Sequence, residues 1–494
     1  MVDFEKLETI VDFLENSERN YPDKVCLIFE EKEYTYQEIN KSAANIAKIL
    51  AQKTKKGDVV ALLLANTPEF VFSYFGILKS GCVALLISAN VADESLIFQI
   101  EKTNPKIIIS RSNYESKLGR TGVLQKADYL DIEKISSAGD FNLSRKVGGN
   151  DISTIIFTSG TTGEPKGLKL RHSNVVNATK NIIEFLKWDE NDIDVNASSL
   201  THSFGLGNIH CVFAVGAASV IFRDTINLKN IIKTIGEKKA TAFSTVPTVL
   251  RLIFNNYLDD FKNFAKSLRL MQTNMSLLEK ELINGFLSAV PWIEFDYYYG
   301  LAEASRSTFI RLNGHKEKIG SVGQASPNVK IKIVDESGKD LLPGQAGEIC
   351  IKGKHVIDEY WNNPEASKRI KNGWLHTGDG GYLDKDGFLY FIGRNDDIIN
   401  VAGEKVSPEE VEETAKKIPG VLDAAAVGMP DKLLGETVKL FISTADQNLD
   451  RALIIKECRK NLESFKVPKS VEIISQIPRT ENGKLKRRLL KDNK

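Results

Sequence analysis

The sequence predicts an α/β protein in two domains, a large one over residues 1–395 and a smaller α+β one over residues 396–494. Three observations predict it. Short β-branched runs alternate with helical stretches, the pattern of parallel sheets with crossover helices. From about Lys330 that rhythm gives way to short strands between Gly, Pro and Asp turns, which suggests antiparallel hairpins or a small barrel. A last segment, from Asp397 onward, mixes helices with strands over a length sufficient for a compact unit. At 494 residues the chain exceeds one ordinary domain, the usual size being about 100–200 residues.

Taken in order, residues 1–16 alternate charged and apolar side chains at helical spacing, and 36–50 and 68–79 read as helices. Residues 59–64, 83–87, 107–109, 152–157, 218–222 and 242–245 are apolar, largely β-branched runs, which read as buried strands. Residues 330–334, 348–351 and 388–392 read as short strands, with Asp335-Glu336-Ser337-Gly338 and Asp384-Lys385-Asp386-Gly387 as turns. The last segment reads as a helix at 408–417, strands at 424–427 and 438–443, and a helix at 451–462.

Composition points to a small partner. With 66 Lys+Arg against 65 Asp+Glu, overall charge offers no attraction for nucleic acid or an anionic membrane. The five cysteines are scattered without a C-x-x-C pair, so neither a disulfide framework nor a zinc site is expected. Residues 1–16 lack the apolar core of a secretion signal, and the longest apolar stretch, 211–222, is too short to span a bilayer. A cytoplasmic protein without a membrane span is expected.

Ten residues carry the chemistry: Thr158-Ser159-Gly160-Thr161-Thr162-Gly163-Glu164-Pro165-Lys166-Gly167. Hydroxyl residues interleaved with glycines let the chain close around phosphate oxygens, and Lys166 adds a cation at the end. The loop follows the strand at 152–157 and so should sit at a strand's carboxyl end, where open α/β sheets bind ligands. A P-loop is excluded, because the second glycine counted from Gly160 would fall at Pro165. Taken alone, the segment also reads as a flexible Ser/Thr/Gly turn.

Further segments turn the loop into a site. Tyr298-Tyr299-Gly300-Leu301-Ala302-Glu303-Ala304 places aromatic faces and a carboxylate after a strand, and Trp374-Leu375-His376-Thr377-Gly378-Asp379 ends in an aspartate. Gly393-Arg394-Asn395-Asp396-Asp397 and Pro478-Arg479-Thr480-Glu481-Asn482-Gly483-Lys484 follow. Together, in this order, they resemble the adenylate-forming superfamily of acyl- and aryl-CoA synthetases, peptide-synthetase adenylation domains and firefly luciferase, from about Tyr34 to Arg488.

That resemblance implies a large domain of two doubly wound sheets plus a small β-barrel, and a small mobile C-terminal domain. It implies attack of a carboxylate on the α-phosphorus of ATP, release of pyrophosphate, and transfer of the acyl group to the pantetheine thiol of coenzyme A. Thr158, Ser159, Gly160, Thr161, Thr162, Gly163 and Lys166 would hold the β- and γ-phosphates, and Glu303 would ligate Mg²⁺. Tyr299 would stack on adenine, and Asp379 with Arg394 would bind the ribose hydroxyls. Lys484 would reach the α-phosphate, where negative charge concentrates in the transition state. Asp396 falls on the hinge, and Gly403 would line the thiol tunnel. His202, Phe204 and Asn208, in Leu200-Thr201-His202-Ser203-Phe204-Gly205-Leu206-Gly207-Asn208, would line the acid pocket. Each residue also has a plainer reading: Asp379 a turn aspartate, His202 a core histidine, Gly403 a β-turn glycine, Lys484 one of several solvated cations.

Departures from the family pattern set further expectations. Ala302 stands where Thr is usual, losing a phosphate donor worth roughly 1.5–3 kcal/mol, unless Ser305 or a water substitutes. Met271-Gln272-Thr273-Asn274-Met275-Ser276-Leu277 replaces a glycine-rich loop, and Tyr298 stands where many relatives have glycine; bulk at Thr273 and Tyr298 argues for a short or compact acid. The missing aspartate in 200–208 argues against an α-amino acid. Three alternatives stay open: an adenylation enzyme loading the phosphopantetheine of a carrier protein, a luciferase-like oxygenase, and a nucleotide-binding homologue impaired in catalysis.

Overall fold

The computed structural model describes residues 4–135, 145–158, 165–224, 227–274, 278, 280–395, 397–402, 404–431, 433–446, 449–479 and 485–491, apart from the side chain of Lys405. Contacts divide the chain into two compact units, Met1–Ile331 with Ile351–Leu375 and Lys332–Cys350 with His376–Lys494. The strands around Asp379 thus count with the C-terminal part, whereas the sequence places the domain boundary near Asp396.

The larger unit contains two sheets, as the resemblance implies. The first has six strands in the order Asp128–Asp131, Ile107–Ser110, Val59–Leu63, Val83–Ile87, Ile152–Thr158 and Lys166–Arg171. All neighbours are parallel except the last pair. Val59–Leu63 and Val83–Ile87 are buried at every position, as strands covered on both faces must be. The second sheet has nine strands, with a parallel centre running from Val25–Phe29 to Glu294–Tyr298 and antiparallel strands at its edges.

Helix ends follow the capping signals. Thr35 and Glu38 form a capping box at the start of Tyr36–Lys53, and Pro68 opens Pro68–Lys79. The helix Ile10–Asn20 fixes the element that carries Phe204 and Asn208, expected from the sequence to border the acid: its Ser17 hydroxyl donates to the Phe213 carbonyl at 2.6 Å, inside the helix Ser203–Val215. That helix ends at Gly216, whose φ of +77° a side chain would strain and whose Cβ would lie 2.5 Å from the Tyr21 ring.

In the smaller unit the strands Trp374–Leu383 and Leu389–Arg394 pair antiparallel. A second sheet orders Glu404–Val406, Ile399–Val401, Gly435–Thr444 and Val421–Asp431, with Ser470–Ile473 parallel to Gly435–Thr444. Pro408–Lys416, Arg451–Asn461 and the short Arg487–Lys491 are helices of the unit, giving the α+β unit expected from the sequence. Among the described residues no helix is long and apolar enough to cross a membrane.

Candidate active site

The phosphate-loop segment leaves a strand where the sequence argument places it. Ile152–Thr158 runs parallel to Val83–Ile87, and Thr158 faces Lys166 across an antiparallel pair, so both flanks of the loop stand at the strand's carboxyl end. Ser159, Gly160, Thr161, Thr162 and Gly163 lie outside the described residues.

The hairpin is tied to Glu303 by one side chain. Leu168 bridges to Tyr360, and Trp361 N–H donates to the Gly167 carbonyl at 2.8 Å. A Cβ at Gly167 would lie 3.2 Å from both Phe157 and Trp361, a close approach that suits glycine. Tyr360 then donates its hydroxyl to Glu303 Oε1 at 2.8 Å. The other carboxylate oxygen has no hydrogen-bond partner among the described residues. A half-buried carboxylate with one oxygen braced and one available fits a hard cation such as Mg²⁺, which takes one or two protein carboxylates and completes its shell with substrate phosphates and water.

Tyr298 ends the strand Glu294–Tyr298, and Tyr299 follows it. Tyr299 is held by mutual 3.1 Å bonds, its N–H to Thr308 Oγ1 and Thr308 N–H to its carbonyl. Its ring is fully buried, so an adenine can stack on it only if a covering group withdraws. Tyr298 packs on Phe204 with ring centroids 5.7 Å apart, and burial pushes its hydroxyl up to about 12. His202 is exposed at the start of Ser203–Val215 and is not a core histidine. His210, in contrast, is buried in the core; it shares a 3.2 Å hydrogen bond with Tyr74, and burial lowers its pKa to about 3.

Residues 270–274 form a strand, so the first part of the segment taken for a loop is buried sheet; Met275, Ser276 and Leu277 lie outside the described residues. Thr273 is fully buried there, its hydroxyl without a partner. Gln272 Nε2 donates to Ser244 Oγ at 2.7 Å and to Asn208 Oδ1 at 3.3 Å, and Ser244 donates to Asp194 Oδ1 at 2.9 Å. Asn208 Oδ1 also accepts from Arg306. Sequence reasoning missed Asp194, Tyr360 and Arg306. Only Arg306 left a signal, a lone cation among the small residues Ala304, Ser305 and Ser307.

In the smaller unit Asp379 is a strand residue and not a turn aspartate. It faces Arg394 in register, is fully buried, and its Oδ1 lies at ion-pair distance, 2.9 Å, from Arg394 Nε. Glu348 braces the strand, Oε1 accepting from Gly378 N–H at 2.9 Å and Oε2 lying 2.8 Å from His376 Nδ1. Glu348, Cys350 and His376 could in geometry hold a metal, but Glu348 already uses both oxygens on its own chain. Lys484, Asp396 and Gly403 lie outside the described residues. On either side of Lys484 the chain is fixed: Arg479 bridges to Leu485, and its guanidinium clasps Asp423 at 2.8 and 2.9 Å.

The chain matches known proteins along almost its whole length. It is 28% identical over 543 residues to a long-chain-fatty-acid–CoA ligase of Escherichia coli O6:H1, covering 99% of this chain and 95% of that one. It is 29% identical over 509 residues to an oxalate–CoA ligase of Arabidopsis thaliana, with 98% of both chains covered. Among solved structures it is similar to the o-succinylbenzoate CoA synthetase of Bacillus subtilis in complex with the acyl-adenylate intermediate OSB-AMP, at 25% identity and a TM-score of 0.90, with 98% of each chain covered. A structure of that synthetase with ATP and a magnesium ion matches equally well, at 25% identity and a TM-score of 0.90, covering 97% of this chain and 99% of that one. The AMP-binding enzyme family matches residues 14–361 and its C-terminal domain residues 410–484, so the chain belongs to the AMP-binding enzymes and is an enzyme of the AMP-forming acid–CoA ligase type.

Proposed function

We propose that this enzyme joins a compact carboxylic acid to ATP as an acyl-adenylate, releases pyrophosphate, and passes the acyl group to the thiol of coenzyme A. The observation that carries the reading is the Tyr360 link, which fixes a carboxylate against the hairpin whose loop has the composition of a phosphate grip. A carboxylate oxygen attacks the α-phosphorus, the bond to the pyrophosphate oxygen breaks, and the thiol then attacks the acyl carbon with AMP leaving. Glu303 would hold Mg²⁺, which neutralises charge on the leaving pyrophosphate. Thr158, Lys166 and the residues between them would bind the phosphates.

Asp379 would accept from the ribose hydroxyls, its carboxylate oriented by Arg394. Adenine would stack on Tyr299 once its cover withdraws, and Lys484 would add a positive charge at the α-phosphate during the first half-reaction only. A pivot at Asp396 would exchange Lys484 for the thiol tunnel at Gly403. The pivot differs from the contact-defined division of the chain, since a hinge lies where the backbone rotates and not where contacts are fewest. The buried side chains of Thr273 and Tyr298 support a compact acid, and His202, Phe204 and Asn208 would border it.

Acid-dependent pyrophosphate release over a panel of acids, with and without coenzyme A, tests the reading. AMP and pyrophosphate as products, with thioester on adding coenzyme A, are expected. ADP and phosphate as primary products would refute it. Thioester formed only on a phosphopantetheinylated carrier protein would move the acceptor assignment to the carrier.

A further inference from the structure

Arg306 is only 1% exposed, yet it makes no ion pair among the described residues. Nη2 donates to Asn208 Oδ1 at 2.5 Å and more weakly to the Phe204 carbonyl at 3.4 Å. The guanidinium carbon sits 5.0 Å from the centroid of the Phe204 ring and 5.3 Å from that of Tyr298, a cation held between two aromatic rings. Nε and Nη1 are buried and make no hydrogen bond, and no carboxylate lies within ion-pair distance among the described residues. A Cβ on Gly207 would lie 3.6 Å from Nη1. Gly207 also lines a cavity of about 510 Å³, solvent at its mouth included, together with Ser203, Ala302 and Ser305.

A carboxylate that acts electrostatically on Arg306 is Asp194, at the far end of the chain of hydrogen bonds through Asn208, Gln272 and Ser244. Burial raises Asp194 to about 7 against the pull of Arg306, so near neutrality its carboxyl is partly uncharged. Backbone geometry adds to the case. Arg306 has φ +49°, a left-handed conformation unusual for a residue with a long side chain, and Gly300 permits it, since a Cβ there would lie 2.3 Å from Arg306 N. A desolvated cation in a strained backbone is costly, and a ligand anion would offset that cost.

We propose that Arg306 is the specificity residue of the acid pocket and binds a second carboxylate of the substrate, so that the acid is a compact dicarboxylate. This rests on the ligase reading above. The carboxylate that attacks phosphorus must keep its lone pair available, and pairing with a buried guanidinium would withdraw it. Arg306 therefore suits the carboxylate that does not react. Its remaining N–H donors match carboxylate oxygens, and the Phe204 and Tyr298 rings cover the guanidinium faces and exclude water.

The test compares α,ω-dicarboxylates from succinate to adipate, and phthalate, with their monomethyl esters and with monocarboxylic acids of equal length. Wild type, Arg306→Gln and Arg306→Lys are assayed by acid-dependent pyrophosphate release, with melting midpoints measured for each. For at least one dicarboxylate, wild type is expected to show kcat/KM about 100-fold or more above that of the ester, the scale on which a site built for a polar group rejects its absence. Arg306→Gln should collapse that ratio toward one, and Arg306→Lys should restore part of it. The dicarboxylate alone, without ATP, should raise the melting midpoint of wild type but not of Arg306→Gln. Preference of wild type for the ester or the monocarboxylic acid overturns the proposal, and that comparison needs no variant. Equal loss on diacid and ester in Arg306→Gln also overturns it, because the arginine would then serve the fold or the reacting carboxylate. Pyrophosphate release with none of the acids, mono- or dicarboxylic, would instead refute the ligase reading.

Discussion

Replacing Tyr360 by Phe isolates the brace on Glu303. The phenol ring is 2% exposed and packed in the core of the larger unit, so Phe keeps the packing and removes one donor, the hydroxyl 2.8 Å from Glu303 Oε1. A hydrogen bond to a charged group is worth about 1.5–3 kcal/mol, and at about 1.36 kcal/mol per tenfold that corresponds to a loss of roughly 10- to 160-fold in kcat/KM for ATP. The loss should be partly recovered by Mg²⁺, because an unbraced carboxylate can still bind the cation once its concentration is raised. The assay is acid-dependent pyrophosphate release at a series of Mg²⁺ concentrations, with a melting curve to show that the fold is kept. Unchanged kcat/KM and unchanged Mg²⁺ dependence in Tyr360→Phe, beside full loss in Glu303→Gln, would refute the reasoning that Tyr360 orients the metal ligand.

Lys484→Ala should abolish pyrophosphate release while largely sparing thioester formation from a supplied acyl-adenylate; equal loss of both half-reactions in a folded variant would argue against the domain rotation. Gly300→Ala must move backbone, since the added Cβ would meet Arg306 N at 2.3 Å; a destabilisation of about 1–3 kcal/mol, read in urea unfolding, is expected together with loss of activity. Glu412 is held near pKa 7 in the folded chain, raised by burial although Arg487 opposes the shift. A carboxyl whose folded pKa is raised contributes stability below its unfolded pKa, about 4.3, and that contribution is lost as pH rises to about 7. The melting midpoint of Glu412→Gln relative to wild type should therefore rise between pH 4.5 and 7.5, and a flat or falling difference would count against it.

Much of the fold was legible because it rests on local signals. The helix at 68–79 and the strands at 83–87 and 330–334 match their sequence bounds, since Pro68 starts a helix and an apolar β-branched run forms a buried strand whatever its partners. Where bounds differ, tertiary pairing extended the element. Residues 424–427 are the apolar centre of Val421–Asp431, which continues because every residue from Asp423 to Asp431 finds a partner on Gly435–Thr444. Of the segment at 271–277, residues 271–274 are strand: polar Gln272 gives no strand signal of its own, and parallel pairing with Asp296 carries it into the sheet.

The family motifs were legible because each is contiguous, whereas the proposed acid pocket is assembled from distant pieces. Asp194, Asn208, Ser244, Gln272 and Arg306 come from three strands, a helix and a turn, and the hydrogen bonds joining them span sequence separations of 28 to 98 residues. No window of sequence shows that arrangement. Nor does burial follow from residue type here, since each of these five polar side chains is at most 1% exposed. Such a network is worth keeping only if its members are satisfied, because an orphaned polar group in a dry interior costs more than an apolar one in its place. Yet Asp194 Oδ2, Asn208 Nδ2, Gln272 Oε1, Thr273 Oγ1 and two Arg306 nitrogens are all buried without a hydrogen-bond partner among the described residues. Unsatisfied donors and acceptors gathered around Arg306, whose Nη1 lies 3.6 Å from where a Cβ on the cavity-lining Gly207 would sit, are what a surface complementary to a polar ligand would show. On the proposed function, the family motifs act on the reacting carboxylate, and this network, of which only Asn208 and Gln272 fall in segments the sequence singles out, would make the choice of acid.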